Sequence, residues 1–301
     1  METILQQTMA TETQDAAIRA PVECRRRLTD YKSILKNAYT TDILEFTLAV
    51  GCPVQCKRYC PQEVFLKKYG EGSRVLNFNA FKQILDDVPT NVTLNFAGFC
   101  EPFVNPDFSR MAEYAYNKGH NLQVSTTLYG AKSSDIDRLL DLEYQIFCIH
   151  VRDGNVVNFP LTREYQDNFF RIVEGIPNVV FTIMNALFTS NNRENVTRGI
   201  YPKPKTVGFC QKLVTPQFVV LPNGDAYLCC QDFGLQHKMG NLFTESFSDL
   251  KGRFVKNKNK YYELCTYCSM NKPYSEVIYN KVVSKAKSVA YGIATGRLLE
   301  R

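Results

Sequence analysis

Three cysteines fall within nine residues of each other, in the run Gly51-Cys52-Pro53-Val54-Gln55-Cys56-Lys57-Arg58-Tyr59-Cys60-Pro61. A short loop lets each sulfur turn inward onto one inorganic centre. A 4Fe-4S cluster takes four thiolates. A set of three leaves one iron open, and an open iron is where a ligand can be activated. Zinc normally closes its tetrahedron with a fourth Cys or His nearby, and none follows within thirty residues. Single cysteines are often small buried hydrophobes, but three on one loop do not fit that description.

A second group lies toward the C-terminus: Cys210, Cys229, Cys230, Cys265 and Cys268. Cys265-Thr266-Tyr267-Cys268 is a CxxC pair, Cys229 ends a hairpin signal, and Cys210 precedes it. Four thiolates from a hairpin and a later loop make a closed set. Zinc ribbons share that geometry, so spacing by itself leaves zinc and iron–sulfur open here.

The surrounding chain of 301 residues is 45% hydrophobic and 22% charged, which suits one large α/β domain with an appendage. Its net charge of +6 tolerates an anionic ligand and does not demand nucleic acid. Eleven cysteines in short-spaced clusters do not read as a secreted disulfide framework. The N-terminal residues carry Glu12 and Asp15 without an apolar core, so no signal peptide is expected. No apolar run reaches about 18 residues, so no membrane span is expected either. Together these point to a reducing, cytoplasmic setting.

Elements of alternating type must hold the two thiol groups. Residues 1–41 read as a polar, then basic, arm. Ile43–Val50 is a continuous apolar run of strand length, as buried parallel strands are. Helix is expected near 79–87, strand at 91–96, helix at 107–118, strand at 121–126, helix at 134–142, strand at 145–151, helix at 168–174 and strand at 179–184. Such alternation implies right-handed βαβ units and a parallel sheet. Pro202 and Pro204 mark a boundary near 205. Beyond it, strands at 217–221 and 226–228 flank the hairpin turn Pro222-Asn223-Gly224-Asp225. The appendage spans 206–271, and a basic helix is expected over 272–301.

The thiol loop after the first strand resembles that of the radical S-adenosylmethionine (SAM) family, a partial (β/α)6 barrel. Tyr59 takes the family's aromatic position before the last Cys, and Lys57 and Pro61 also fit. The interval between Cys56 and Cys60 departs from it, holding three residues where the family has two. The stretch Gly98-Phe99-Cys100-Glu101-Pro102 resembles the family's glycine–glutamate–proline segment, which contacts the SAM amino group. Glycine permits close backbone approach and a carboxylate pairs with an ammonium. Cys100 is expected there as a packing residue. Ser125 and Thr126 fall where the family places groups near the SAM ribose. Phe218–Cys230, Met239–Leu242 and Ser246–Leu250 resemble the SPASM/Twitch appendage, of the kind with one auxiliary cluster.

The resemblance implies SAM and two 4Fe-4S clusters as cofactors. Cys52, Cys56 and Cys60 would hold the SAM-binding cluster. Cys210, Cys229, Cys265 and Cys268 would hold the auxiliary one, with Cys230 beside it. Gly98, Glu101 and Pro102 would face SAM together with Tyr59, Ser125 and Thr126. Within the family the chain is similar to the aminocyclitol dehydrogenase type, an oxidoreductase acting on a secondary alcohol. His150 and Arg152, at the end of a strand, are the candidates for substrate contact, because barrel folds place reacting groups there. Expected partners are a small-molecule or peptide substrate and an electron donor such as flavodoxin or ferredoxin, with neither membrane nor nucleic acid. Two rival readings stand: a maturase of a ribosomal peptide, and a zinc-stabilised binding module without enzymatic activity.

Overall fold

The structure is a computed structural model that describes residues 41–56, 60–152, 154, 157–177, 179–183, 210, 212, 215–257, 263–266, 268 and 271. Tyr59, the C-terminal helix expected over 272–301 and all of the N-terminal arm except Thr41 lie outside the described residues.

The strands in chain order are β1 (Ile43–Phe46), β2 (Gln55–Cys56), β3 (Thr93–Phe96), β4 (Leu122–Thr126), β5 (Ile146–Val151), β6 (Val157–Asn158), β7 (Val179–Ile183), β8 (Gln217–Val220), β9 (Asp225–Tyr227) and β10 (Lys238–Asn241). The helices are α1 (Gln62–Tyr69), α2 (Phe78–Leu85), α3 (Phe108–Asn117), α4 (Ser133–Leu140), α5 (Arg163–Gly175), α6 (Phe247–Asn257) and the single turn α7 (Glu263–Thr266). Eight strands form one sheet in the order β10-β9-β8-β1-β3-β4-β5-β7. From β8 to β7 every pairing is parallel, and β8–β9 and β9–β10 are antiparallel.

The expected α/β fold is present, and most elements fall within a few residues of their expected bounds. Helix α5 starts five residues earlier than the apolar pattern suggests, because Thr162 caps it by accepting the Tyr165 N–H at 3.1 Å. Helix α1 begins directly after the thiol loop, with Pro61 as its cap, and has no strong apolar stripe to betray it.

One face of the sheet packs on α2, α3 and α4 through a stack of phenylalanines. Phe46 and Phe81 sit 5.1 Å apart between ring centres, and Phe96 and Phe108 sit 5.4 Å apart. All four are fully buried. Each contributes about 1.5–3 kcal/mol through burial alone, and truncating one to alanine costs about 3–5 kcal/mol.

The other face is polar. Glu45 on β1 is buried, and its Oε2 accepts from Asn95 Nδ2 at 3.0 Å and from Gln217 Nε2 at 2.8 Å. Its Oε1 accepts the Gly98 N–H at 3.0 Å. A buried carboxylate is tolerable only with such partners. Strands β8, β1 and β3 are thereby tied through side chains as well as through the ladder.

Strand β8 pairs with β1 over four residues, Ile43↔Gln217 to Phe46↔Val220. The sheet therefore runs unbroken across the boundary expected near residue 205. A smaller aromatic cluster seals the same junction: Phe65 of α1, Phe99 after β3, and Phe233 after β9, with Phe99 and Phe233 4.3 Å apart. Cys60 and Cys230 both pack against it.

Candidate functional site

The first thiol loop leaves the C-terminal end of β1, where barrel folds place their chemistry. Strand β2 is part of the loop and pairs with β6, aligning Cys56 with Val157. Backbone bonds from Cys60 N–H to Cys56 C=O (3.1 Å) and from Gln62 N–H to Cys60 C=O (2.9 Å) curl the loop into α1. The Cys56 thiol hydrogen-bonds with Cys60 and lies near Cys52. That hydrogen bond, followed by burial, pushes the Cys56 thiol well above its ordinary range. Cys60 and Cys52 are the thiol neighbours of Cys56, and among the described residues no three of these groups are close enough together to hold a metal as they stand. Cys100, buried after β3, hydrogen-bonds with Cys52, and this contact followed by burial pushes the Cys100 thiol up as well.

The segment from Gly98 to Pro102 is pinned at several points. Gly98 has φ +71°, and a Cβ there would come 2.1 Å from Thr47 Oγ1, so only glycine fits. Phe99 N–H donates to Thr47 Oγ1 at 3.0 Å, and Phe99 C=O accepts from Gln62 Nε2 at 2.6 Å. The Glu101 N–H points at Cys52 Sγ, 3.4 Å away.

The Glu101 carboxylate is buried and turned into the protein. It accepts from Thr126 Oγ1, from Thr127 N–H at 2.6 Å, from Thr127 Oγ1 at 2.7 Å and from Phe103 N–H at 3.4 Å. Burial raises its pKa, and the hydrogen bonds from Thr126 and Thr127 oppose that. Its structural work is to clamp the ends of β3 and β4 together. Pro102 opens a short 3-10 turn. Thr126 serves the clamp, and the half-buried Ser125 points to the opposite face of β4.

Beside the loop is an open cleft of about 410 Å³ lined by Pro53, Tyr129, Arg152, Asn158, Phe159 and Pro160. Small-molecule sites run from about 300 to 1,000 Å³. Arg152 is held in the cleft by Nε donating to Phe159 C=O at 2.7 Å and by a terminal nitrogen donating to Asn158 Oδ1 at 2.8 Å. Tyr129 and Phe159 meet edge to face, 5.5 Å between centres. His150 is half-buried on β5, on the face away from Phe147 and Ile149, and in register with Thr182. It is not among the residues lining the cleft.

The second thiol group lines a narrow, only partly open cavity at the end of the hairpin. Cys210, Cys229, Cys265 and Cys268 line it, together with Lys212 and Gln231. Cys230 lies outside the lining and accepts from Lys212 Nζ at 3.1 Å. Burial, followed by Cys230, pushes the Cys229 thiol up, and Lys212 opposes this. Burial alone would lower the Lys212 pKa, but Cys230, Glu45 and Cys229 outweigh it and hold the ammonium above its ordinary range. Gln231 is buried, and its Oε1 has no hydrogen-bond partner among the described residues. Four soft thiol donors around one cavity suit an iron–sulfur cluster.

Residues 210–269 match the family model of SPASM, described as an iron–sulfur cluster-binding domain. No curated protein matches the chain. Among solved structures, BtrN in complex with AdoMet and 2-DOIA is similar, with a TM-score of 0.59 and 16% identity over 75% of this chain and 92% of that one. BtrN in an open conformation gives a TM-score of 0.52 at 16% identity, covering 76% and 92%. Streptococcus suis SuiB bound to precursor peptide SuiA gives 0.45 at 12% identity, covering 89% and 83%. The fold is that of BtrN, an α/β arrangement whose central strands run parallel. The chain joins this fold to a region that matches the SPASM model, the pairing that the sequence resemblance implied.

Sequence reasoning missed Tyr129, Asn158 and Lys212 as parts of the sites, whereas Cys100 is buried as its expected packing role requires. Lys212, two residues after a cysteine, had no signal in the sequence.

Proposed function

We propose that the protein is a radical SAM oxidoreductase that takes hydrogen from a small polar substrate held in the Arg152 cleft. The observation that carries this reading is the contrast between the two thiol groups on one sheet. One group lies on a loop beside an open cleft, and the other lines a narrower, less open cavity. When bound, SAM and its cluster supply a 5′-deoxyadenosyl radical, which abstracts hydrogen from an unactivated carbon.

The chain's own residues position the reactants. Cys52, Cys56 and Cys60 would hold the SAM cluster, and Cys210, Cys229, Cys265 and Cys268 the auxiliary one that takes the electron. Arg152, pre-set by Phe159 and Asn158, has N–H donors left to orient a hydroxyl or anionic group of the substrate. Tyr129 and Phe159 narrow the cleft and limit water around the reacting carbon. The pinned Gly98–Glu101 segment keeps backbone close to the amino end of SAM. An electron donor of the flavodoxin or ferredoxin kind and a cytoplasmic setting complete the reading. No helix among the described residues is long and apolar enough to cross a membrane.

The test is anaerobic reconstitution, followed by counting iron and sulfide and assaying SAM cleavage to 5′-deoxyadenosine. About eight irons are expected. Incubation with a panel of cyclitols and amino sugars should then yield a ketone two hydrogens lighter than its substrate. A rearranged product, or turnover of a peptide only, would overturn the small-molecule oxidation. Zinc without sulfide would overturn the whole reading.

A further inference from the structure

We propose that the substrate of the Arg152 cleft carries a carboxylate, which the guanidinium binds while the aromatic and proline residues beside it hold the body of the molecule. The inference deepens the proposed function and rests on its reading of the cleft as the substrate site.

Arg152 directly follows β5 and is half-buried. Its side chain is fixed at two points, Nε on Phe159 C=O and Nη2 on Asn158 Oδ1. A guanidinium has more N–H donors than these bonds use. Both hydrogens of Nη1 and one of Nη2 remain. Gly154 leaves the approach to Nη1 clear, since a Cβ there would stand 3.4 Å from that nitrogen. Among the described residues no Asp or Glu pairs with Arg152. A permanent cation held in place beside an open cleft, with donors to spare and no counter-charge, is a site for an anion.

The rest of the lining decides which kind. Pro53, Pro160, Phe159 and Tyr129 offer mostly apolar surface, and among the described lining residues Arg152 is the one charge. One guanidinium balances one negative charge, which fits a carboxylate and leaves a phosphate dianion under-compensated. The planar fork also matches a planar carboxylate. The cleft volume of about 410 Å³ is that of a small-molecule site, so the acid is small.

An ammonium group would fare badly in the same place. It would meet like charge, and the nearby acceptors are engaged. Asn158 Oδ1 and Phe159 C=O are spent on Arg152. The buried Glu101 carboxylate is spent on Thr126, Thr127 and the Phe103 N–H. Alcohols without an acid group would be held more weakly than their carboxylated counterparts, so hydroxy acids should lead any panel of oxidised substrates.

The test uses the full-length, anaerobically reconstituted protein and four compounds that share one ring: cyclohexanecarboxylate, cyclohexanemethanol, cyclohexanemethylamine and cyclohexyl phosphate. Equilibrium dialysis reads the affinity of each without turnover. The carboxylate should bind about tenfold more tightly than the alcohol, the gain of a charge-assisted hydrogen-bonded pair, and the amine should bind worst. Raising the salt concentration should weaken the carboxylate and leave the alcohol unchanged. Arg152→Gln should bring carboxylate and alcohol to equal affinity, and Arg152→Lys should restore part of the gap. The ranking in wild type decides the matter even where a variant fails to fold. Alcohol or amine binding as well as the carboxylate would overturn the proposal. So would phosphate binding better than the carboxylate, no carboxylate bound at millimolar concentration, or a gap that survives in Arg152→Gln. Any of these outcomes, with SAM cleaved and a ketone formed from a neutral polyol, leaves the oxidoreductase reading standing. Protein without iron and without SAM cleavage would overturn that reading, whatever the ring compounds do.

Discussion

The loop carrying Cys52, Cys56 and Cys60 and the pocket carrying Cys210, Cys229, Cys265 and Cys268 use the same donor chemistry in opposite surroundings. The first is built from backbone, with a two-residue ladder to β6, a curl into α1 and a segment after β3 pinned by Glu45, Thr47 and Gln62. It opens toward a cleft. The second is narrower and less open, with a half-buried ammonium from Lys212 against its edge and Cys230 drawn aside to meet that charge. The difference teaches that thiol count does not assign a role. Access and neighbouring charge are what distinguish the two groups, and they are the features on which the proposed division of roles rests.

The largest expected effect tests that division directly. Cys56→Ala should reduce SAM cleavage to background, whereas Cys229→Ala should lose auxiliary iron and product oxidation while SAM is still cleaved to 5′-deoxyadenosine. Chromatographic assay of 5′-deoxyadenosine beside iron counting checks both. Equal loss of cleavage in the two variants would break the comparison.

Lys212→Met should shift the auxiliary cluster to a more negative reduction potential, because the cation favours the more negative reduced form. Lys212→Arg should restore most of the shift, and an EPR-monitored redox titration reads both. The first cluster's potential should barely move.

At the open site, Gly98→Ala would force a methyl group into Thr47 and hold alanine at positive φ. A destabilisation of about 1–3 kcal/mol is expected, seen as a lower melting temperature in differential scanning calorimetry. Gly252→Ala, where a Cβ meets nothing within 4 Å, is the matched control from the auxiliary side.

The smallest effect concerns His120. Its Nδ1 lies 3.1 Å from Val92 C=O and burial lowers its pKa from 6.5. The folded state then holds the ring neutral while the unfolded chain protonates as pH drops below 6.5. Stability is complete above that pH and falls as the pH drops from 6.5 toward the lowered folded value. Urea unfolding across this window should show the slope in wild type and a weaker one in His120→Gln.

Local rules made part of this legible from sequence. The hairpin turn is an instance: Gly224 has φ +81°, Leu221 N–H bonds Asp225 C=O at 2.9 Å, and Asn241 locks the turn through Asn223 C=O at 3.0 Å. The loop thiols were readable because their spacing is itself the chemistry. The rest depends on partners that only the topology brings together. Glu45 and Gln217 are 172 residues apart, and neither shows in sequence that it will meet the other. Helix α1 was hidden because it follows the thiols without a break.

The four-residue pairing of β8 with β1 has a consequence for dissection of the molecule. Strand β1 is buried along its whole length. A chain cut near residue 205 would strip away its neighbour and leave a bare row of backbone donors and acceptors on an apolar ribbon. Such an edge invites pairing with other chains and aggregation. The appendage therefore also serves as the cover for that edge of the sheet, and a chain cut near residue 205 should aggregate where the full chain does not.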